Sequence, residues 1–149
     1  MSVNFADIHV GDTMPAYTSA PLTRTHLVRY AGASGDFNPL HHDNTFAKAI
    51  GMERNIAHGM LIMGIAGEAV TAWIDNKNLR KLSARFAATT EPADLDDLEN
   101  TKQRATITVT GKVTNKFEEN GEKRIQCDIE AQDALGSTKI RGFFIAALP

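Results

Sequence analysis

The densest apolar stretch of the chain, "GMLIMGIAGEAVTAWI" from Gly59 to Ile74, carries hydrophobic residues around nearly its whole helical wheel. That pattern predicts a helix buried on most sides rather than one lying on a surface. Something must then wrap around it. The second half of the chain supplies four β-rich runs, "RKLSARFAATT", "QRATITVTGKV", "KRIQCDIEAQD" and "TKIRGFFIAAL", several with period-two alternation. Turn signals separate them at Glu91-Pro92 with the acidic "ADLDDLEN", at Glu119-Asn120-Gly121 and at Leu135-Gly136-Ser137. Upstream, residues 1–22 read as an extended start broken by Gly11-Asp12, Pro15 and Pro21. Thr23 then offers a helix N-cap for "RTHLVRYAGAS", with Gly32 to Gly35 as the stop, and Asp43 or Asn44 can cap a short helix, "TFAKAIGM". Helices first and an antiparallel meander after them predict a single α+β domain over residues 1–149, its sheet curled around one long central helix.

Composition narrows the classes. Hydrophobic residues make up 42% of 149, enough for one core. Lys and Arg number 16 against 18 Asp and Glu, so no broad field exists to draw in nucleic acid or an anionic membrane. The longest apolar stretch is broken by Glu68 and too short to span a bilayer, and no basic flank precedes a long apolar region at the N-terminus. The lone Cys127 cannot form an internal disulfide and is expected to act as a small apolar residue in a reducing, cytoplasmic setting. The acidic patch from Asp94 to Glu99 is expected to be a solvated loop.

The candidate chemistry lies in "SGDFNPLHHD", Ser34 to Asp43, and "AHGML", Ala57 to Leu61. Proline pushes Asn38 toward an extended conformation, and the resulting turn can face Asp36 and His41 onto one small volume. A carboxylate beside an imidazole can hold a water and exchange protons near neutral pH. Alternatively, Asp36 is a turn residue and His41 a loop histidine. Gly59 falls at the helix start, where unpaired N–H groups and the helix dipole favour a developing oxyanion. Its other reading is a simple helix-start glycine. His58 is expected to orient this loop or pair with a neighbouring carbonyl. No metal spacing, no Gly-x-Ser-x-Gly elbow and no phosphate-binding glycine motif occurs, so no metal is expected and neither a serine hydrolase nor a dinucleotide enzyme is supported.

"YAGASGDFNPLHHD" followed by "IAHGMLIMG" resembles the hydratase motif of the MaoC-like, (R)-specific enoyl-CoA hydratase family of hot-dog folds. The phrasing is similar to that of actinobacterial (3R)-hydroxyacyl-thioester dehydratases. The resemblance implies a catalytic pair Asp36 and His41, a backbone oxyanion donor at Gly59, and reversible hydration of trans-2-enoyl thioesters of CoA or acyl carrier protein, without a cofactor. It also implies a homodimer, or a heterodimer with a related hot-dog subunit. Asn38 is expected to hold the turn that presents His41. Where the family often has a serine eight positions after the glycine, this chain has Gly67.

Gly64, Ala66 and Gly67 are small enough to leave space for an acyl chain that Met60, Met63, Trp73 and Phe86 would line; close helix-to-sheet packing explains the same residues. Arg80, Lys81 and Arg85 form a candidate cluster for a phosphate or an acidic carrier, and solvated strand ends explain them equally well. A thioesterase on the same fold is the competing enzyme class, with Glu68 its only acidic residue on the long helix. A non-catalytic subunit is the third reading.

Overall fold

The computed structural model describes residues 3–149, so Met1 and Ser2 of the expected extended start lie outside the described residues. The sheet has the order β1-β3-β4-β5-β2, every neighbouring pair antiparallel. Its strands are β1 (Thr13–Thr18), β2 (Leu79–Phe86), β3 (Ile107–Glu119), β4 (Glu122–Asp133) and β5 (Thr138–Ala147). The helices are α1 (Arg24–Ser34), α2 (Asn44–Ala49), α3 (Gly59–Trp73) and α4 (Leu98–Ala105).

The β3–β4 hairpin turns on Asn120 and Gly121, whose φ values of 53° and 77° are the paired left-handed conformations that suit the twist of the flanking strands. Alternation then sets the faces: Ile125, Cys127, Ile129 and Ala131 of β4 are buried while the residues between them look outward. The buried side chains meet Ile62, Ile65, Ala66, Ala69 and Val70 of α3 in one core that includes Ile107, Val109, Ile140 and Phe144. Each large apolar side chain so buried contributes roughly 1.5–3 kcal/mol. Cys127 sits inside this core, and burial pushes its thiol up to about 12.

Four expectations need correction. The extended start contains an edge strand, β1, which pairs with β3 and tolerates Pro15 because an edge strand has a free side. The strands do not run as a simple meander, since β2 precedes β3 in the chain yet lies at the opposite edge, against β5. The run beginning at Gln103 is not all strand: Leu98 to Ala105 is helical and β3 starts at Ile107, with Thr101 Oγ1 accepting the Asp94 N–H and donating to the Asp97 carbonyl. The acidic patch is not wholly solvated, because Asp94 accepts hydrogen bonds from Arg54 and Arg104 and pairs with Arg24.

Helix α3 also differs from a helix buried on most sides. Met60, Gly64, Glu68 and Thr71 form an exposed stripe at helical spacing, while the opposite face packs on the sheet. Among the described residues, no helix is long and apolar enough to cross a membrane.

Candidate active site

Helix α1 ends with Gly35 at φ 75°, its N–H on the Ala31 carbonyl, and releases the chain into the 36–43 loop. Three local hydrogen bonds shape that loop. Asp36 N–H donates to Ser34 Oγ, Asn38 N–H to Asp36 Oδ1 at 3.2 Å, and Leu40 N–H to Asn38 Oδ1 at 3.0 Å. Asn38 thereby caps a single 3₁₀ turn, Pro39–His41, with proline at the position where no N–H is needed. Asp43 then caps α2 through Thr45 and Phe46 N–H.

The turn is held from the far side by the 54–57 segment. The buried Asn55 donates to the His41 carbonyl at 3.1 Å, and Ile56 N–H donates to the Leu40 carbonyl at 3.2 Å. His41 Nδ1 lies 2.8 Å from the Ile56 carbonyl. A carbonyl can only accept, so Nδ1 carries the hydrogen and the Nε2 of neutral His41 is a free lone pair. That Nε2 faces Asp36 Oδ2 at 3.9 Å, with the Asp36 side chain 52% exposed and that of His41 11%. The gap is too long for a direct hydrogen bond and suited to a small oxygen atom shared by both groups.

Gly59 opens α3 directly behind His58. Leu61 and Ile62 N–H both donate to the His58 carbonyl, while the Gly59 and Met60 N–H groups have no internal acceptor among the described residues. A Cβ on Gly59 would come 3.3 Å from Cε1 of Phe86, so the glycine leaves room for that ring over the helix start.

A cavity of about 310 Å³ joins His41 to the Gly59 helix start, its wall including Ile62, Phe86, Thr90 and Lys139 but not Asp36. Lys139 is buried, paired with Asp133 at 2.9 Å, and donates to the Thr89 carbonyl, which fixes the 87–90 wall. Thr90 in turn accepts the Ala57 N–H at 2.7 Å.

Of the acyl-chain candidates, Phe86 borders this cavity and the others do not. Met60 is exposed, Met63 packs against the core, Gly64 faces open space, and a Cβ on Gly67 would make ordinary contact with Leu82 at 3.7 Å. Trp73 stacks edge-on against Phe144 and borders a separate, larger cleft of about 850 Å³ with Lys77, Arg80 and Glu122. That cleft holds neither member of the Asp36/His41 pair. Of the basic residues, Arg80 is held by Glu122, Lys81 lies over the Phe143 ring, and Arg85 is exposed on β2. Hydrogen bonds from Arg80 and then Arg124 hold the Glu122 carboxyl down at about 2.

His58 is buried, its Nε2–H donating to the Asp36 carbonyl at 3.0 Å and its ring stacked on that of His41 with centroids 3.7 Å apart. Asp36, His41 and His58 each offer a ligand atom within 4.8 Å of the others. Imidazoles stacked with 26° between their planes nevertheless hold their lone pairs in separate, nearly parallel planes, which makes convergence on one ion poor. Glu68 lies near Tyr17 and raises its phenol, and it does not border the cavity at Gly59. Thr90 and Lys139 join the site from positions that carry no motif in the sequence, and Ile62 joins it from within the "IAHGMLIMG" stretch.

Comparison with known proteins places the chain. Over 64 residues it is 39% identical to enoyl-CoA hydratase 2, peroxisomal, of Arabidopsis thaliana, covering 41% of this chain and 21% of that protein. A solved structure described as a MaoC-like dehydratase superposes with a TM-score of 0.82 at 27% identity, covering 99% of this chain and 43% of the other. The (R)-hydratase of A. caviae involved in PHA biosynthesis superposes with a TM-score of 0.73 at 20% identity over 96% of this chain and 98% of the other, a likeness of fold. The chain therefore spans about a fifth of the length of its plant relative. The sheet and helix are those of the hot-dog fold, and because the family model described as MaoC like domain matches residues 7–125, the chain belongs to the MaoC-like domain family.

Proposed function

We propose that this chain catalyses the reversible hydration of trans-2-enoyl thioesters, carried by CoA or acyl carrier protein, to (R)-3-hydroxyacyl thioesters in fatty-acid metabolism. The observation that carries this reading is the opposed pair His41 Nε2 and Asp36 Oδ2, 3.9 Å apart, beside a cavity whose wall also holds the Gly59 helix start. A water between the two groups is positioned to attack C3. Its oxygen bonds to C3, its proton passes to one member of the pair, and C2 receives a proton as the C2–C3 double bond becomes single. The free N–H at Gly59 stabilises the negative charge that gathers on the thioester oxygen. Dehydration runs the same steps backward.

Hydrolysis of the thioester is disfavoured as a second reading, because Glu68, the only acidic residue on α3, does not border the cavity at Gly59. The site is also edged by exposed apolar side chains, Phe37 at 64%, Met60 at 56% and Phe86 at 50%. Their exposure supports a second chain packing there, either another copy or a related subunit. Cytoplasmic placement completes the reading and is checked by fractionation.

The test is loss of enoyl absorbance with crotonyl-CoA and longer trans-2-enoyl-CoAs, with chiral analysis of the product and the mass of the assembly measured alongside. Asp36→Asn or His41→Ala should cut turnover about 10²–10⁴-fold while the fold survives. Near-normal turnover in either folded variant would overturn the assignment, and release of free thiol would favour hydrolysis.

A further inference from the structure

His58 touches both members of the pair. Its ring lies 3.7 Å from that of His41, centroid to centroid, and its Nε2 lies 3.0 Å from the Asp36 carbonyl. Tyr30 of α1 packs against its ring at 4.8 Å, and only 2% of the residue is exposed. Because the carbonyl can only accept, the hydrogen sits on Nε2 and Nδ1 is bare. That buried Nδ1 has no hydrogen-bond partner among the described residues. A side chain needed only to fill this space would do so better as an apolar ring, which leaves no polar atom unpaired.

We infer that His58 is a positioning residue: a neutral plate that sets the spacing of Asp36 and His41 and gives the His41 ring an uncharged face when its Nε2 takes up a proton. This inference rests on the reading of Asp36 and His41 as the reacting pair. His41 Nδ1 is committed to the Ile56 carbonyl, so an incoming proton goes to Nε2, on the side that faces Asp36 Oδ2. The ring then carries a positive charge over His58. A neutral aromatic face attracts that charge, whereas a second imidazolium at this separation would repel it across a gap that excludes screening salt. The hydrogen bond to the Asp36 backbone acts at the other end, tying the start of the loop to the first turn of α3.

The groups around His58 divide in sign. The Asp36 carboxylate and its backbone carbonyl favour the charged ring, while His41 and His42 oppose it, and Tyr30 contributes only an aromatic face. Burial outweighs these and holds His58 below the ordinary histidine range. Burial and the unpaired Nδ1 thus both favour the neutral ring.

Two readouts test this. Nitrogen-15 NMR of the histidine rings in the intact protein should show His58 as the neutral Nε2–H tautomer at pH 6.5. A charged ring or an Nδ1–H tautomer there would overturn the inference, whether or not the chain turns over enoyl thioesters. In kinetics, His58→Ala should lower kcat about 10²-fold with KM little changed, the loss expected when reacting groups drift by about an ångström. His58→Phe, which keeps a neutral plate, should recover at least about a tenfold part of that loss. Wild-type kcat in a folded His58→Ala variant, or equal losses in the Ala and Phe variants, would sink the inference. If the alanine variant fails to fold, the ring tautomer and a comparison of His58→Phe with His58→Gln, which keeps a donor but not the plate, decide it. A wild-type chain inactive on every enoyl thioester would refute the proposed function and leave the NMR result to judge the role of His58.

Discussion

Beside the pair, Thr90 carries a hydroxyl that is 2% exposed as a residue and whose Oγ1 has no hydrogen-bond partner among the described residues. Its carbonyl does the structural work, accepting the Ala57 N–H at 2.7 Å and so tying the cavity wall to the start of α3. Burying a hydroxyl without a partner costs roughly 1–3 kcal/mol, and a methyl of the same shape removes that cost. Thr90→Val should therefore stabilise the protein by about 1 kcal/mol, seen as a higher urea midpoint with an unchanged denaturant slope. A lower midpoint would mean that the hydroxyl has a partner in solution. Asp36, His41 and Gly59 were legible in the sequence because the 36–41 turn is held by bonds between residues two apart, and a helix start is a local event. A carbonyl partner for His58 was expected, but that it is Asp36, 22 residues away, was not readable, and Thr90 enters the wall from beyond β2 without a local pattern.

At the scale of elements, the β5–β2 seam is where the site depends most on a residue with no chemistry. Gly142 sits opposite Ala84, and a Cβ there would lie 2.0 Å from the Ser83 carbonyl oxygen. That oxygen belongs to the backbone, so Gly142→Ala must push β2 away from β5, and β2 carries Phe86 and leads into the 87–90 wall. The expected loss is more than about 2 kcal/mol, with catalytic turnover falling alongside it. Gly64→Ala provides the contrast. Nothing lies within 4 Å of its Cβ position, and an alanine within a helix should stabilise by roughly 0.5–1 kcal/mol. Thermal melts of both variants would check the opposite signs. The strands β3 and β4 were readable from alternation, β5 from its apolar, strand-forming run after the Gly136 turn, and the hairpin from Asn120-Gly121. The helix α4 was not, because "LENTKQRA" buries only Thr101 and Ala105 and presents no apolar stripe. The strand β1 was hidden for a related reason: its pairing with β3 is decided by residues distant in the chain.

Across the whole molecule, Asp94 joins parts that the sequence holds far apart. Arg54 reaches it with both terminal nitrogens at 3.0 and 2.6 Å, Arg104 of α4 lies 2.9 Å away, and Arg24 of α1 lies 3.3 Å away. Arg54 immediately precedes Asn55 and Ile56, the two residues that hold His41 in place, while Ala93 N–H donates to the Leu22 carbonyl just before α1. The hydrogen bonds from Arg54, followed by those from Arg104, hold the Asp94 carboxyl below the usual carboxylate range. A carboxyl whose value is lower folded than unfolded binds fewer protons in the native state, so its stabilisation is fully present above its unfolded value of about 4 and is lost as pH falls through its folded value. Asp94→Asn should accordingly cost about 1–2 kcal/mol near neutral pH, discounted because the arginines remain partly open to solvent. The gap between wild type and variant in urea unfolding should stay constant above about pH 5 and narrow as the pH drops below about 4. A gap independent of pH down to acid unfolding would mean that Asp94 acts through shape rather than charge. Because the same carboxylate anchors the segment behind His41, hydration by the variant should also weaken at neutral pH, linking this salt-bridge knot to the site it does not touch.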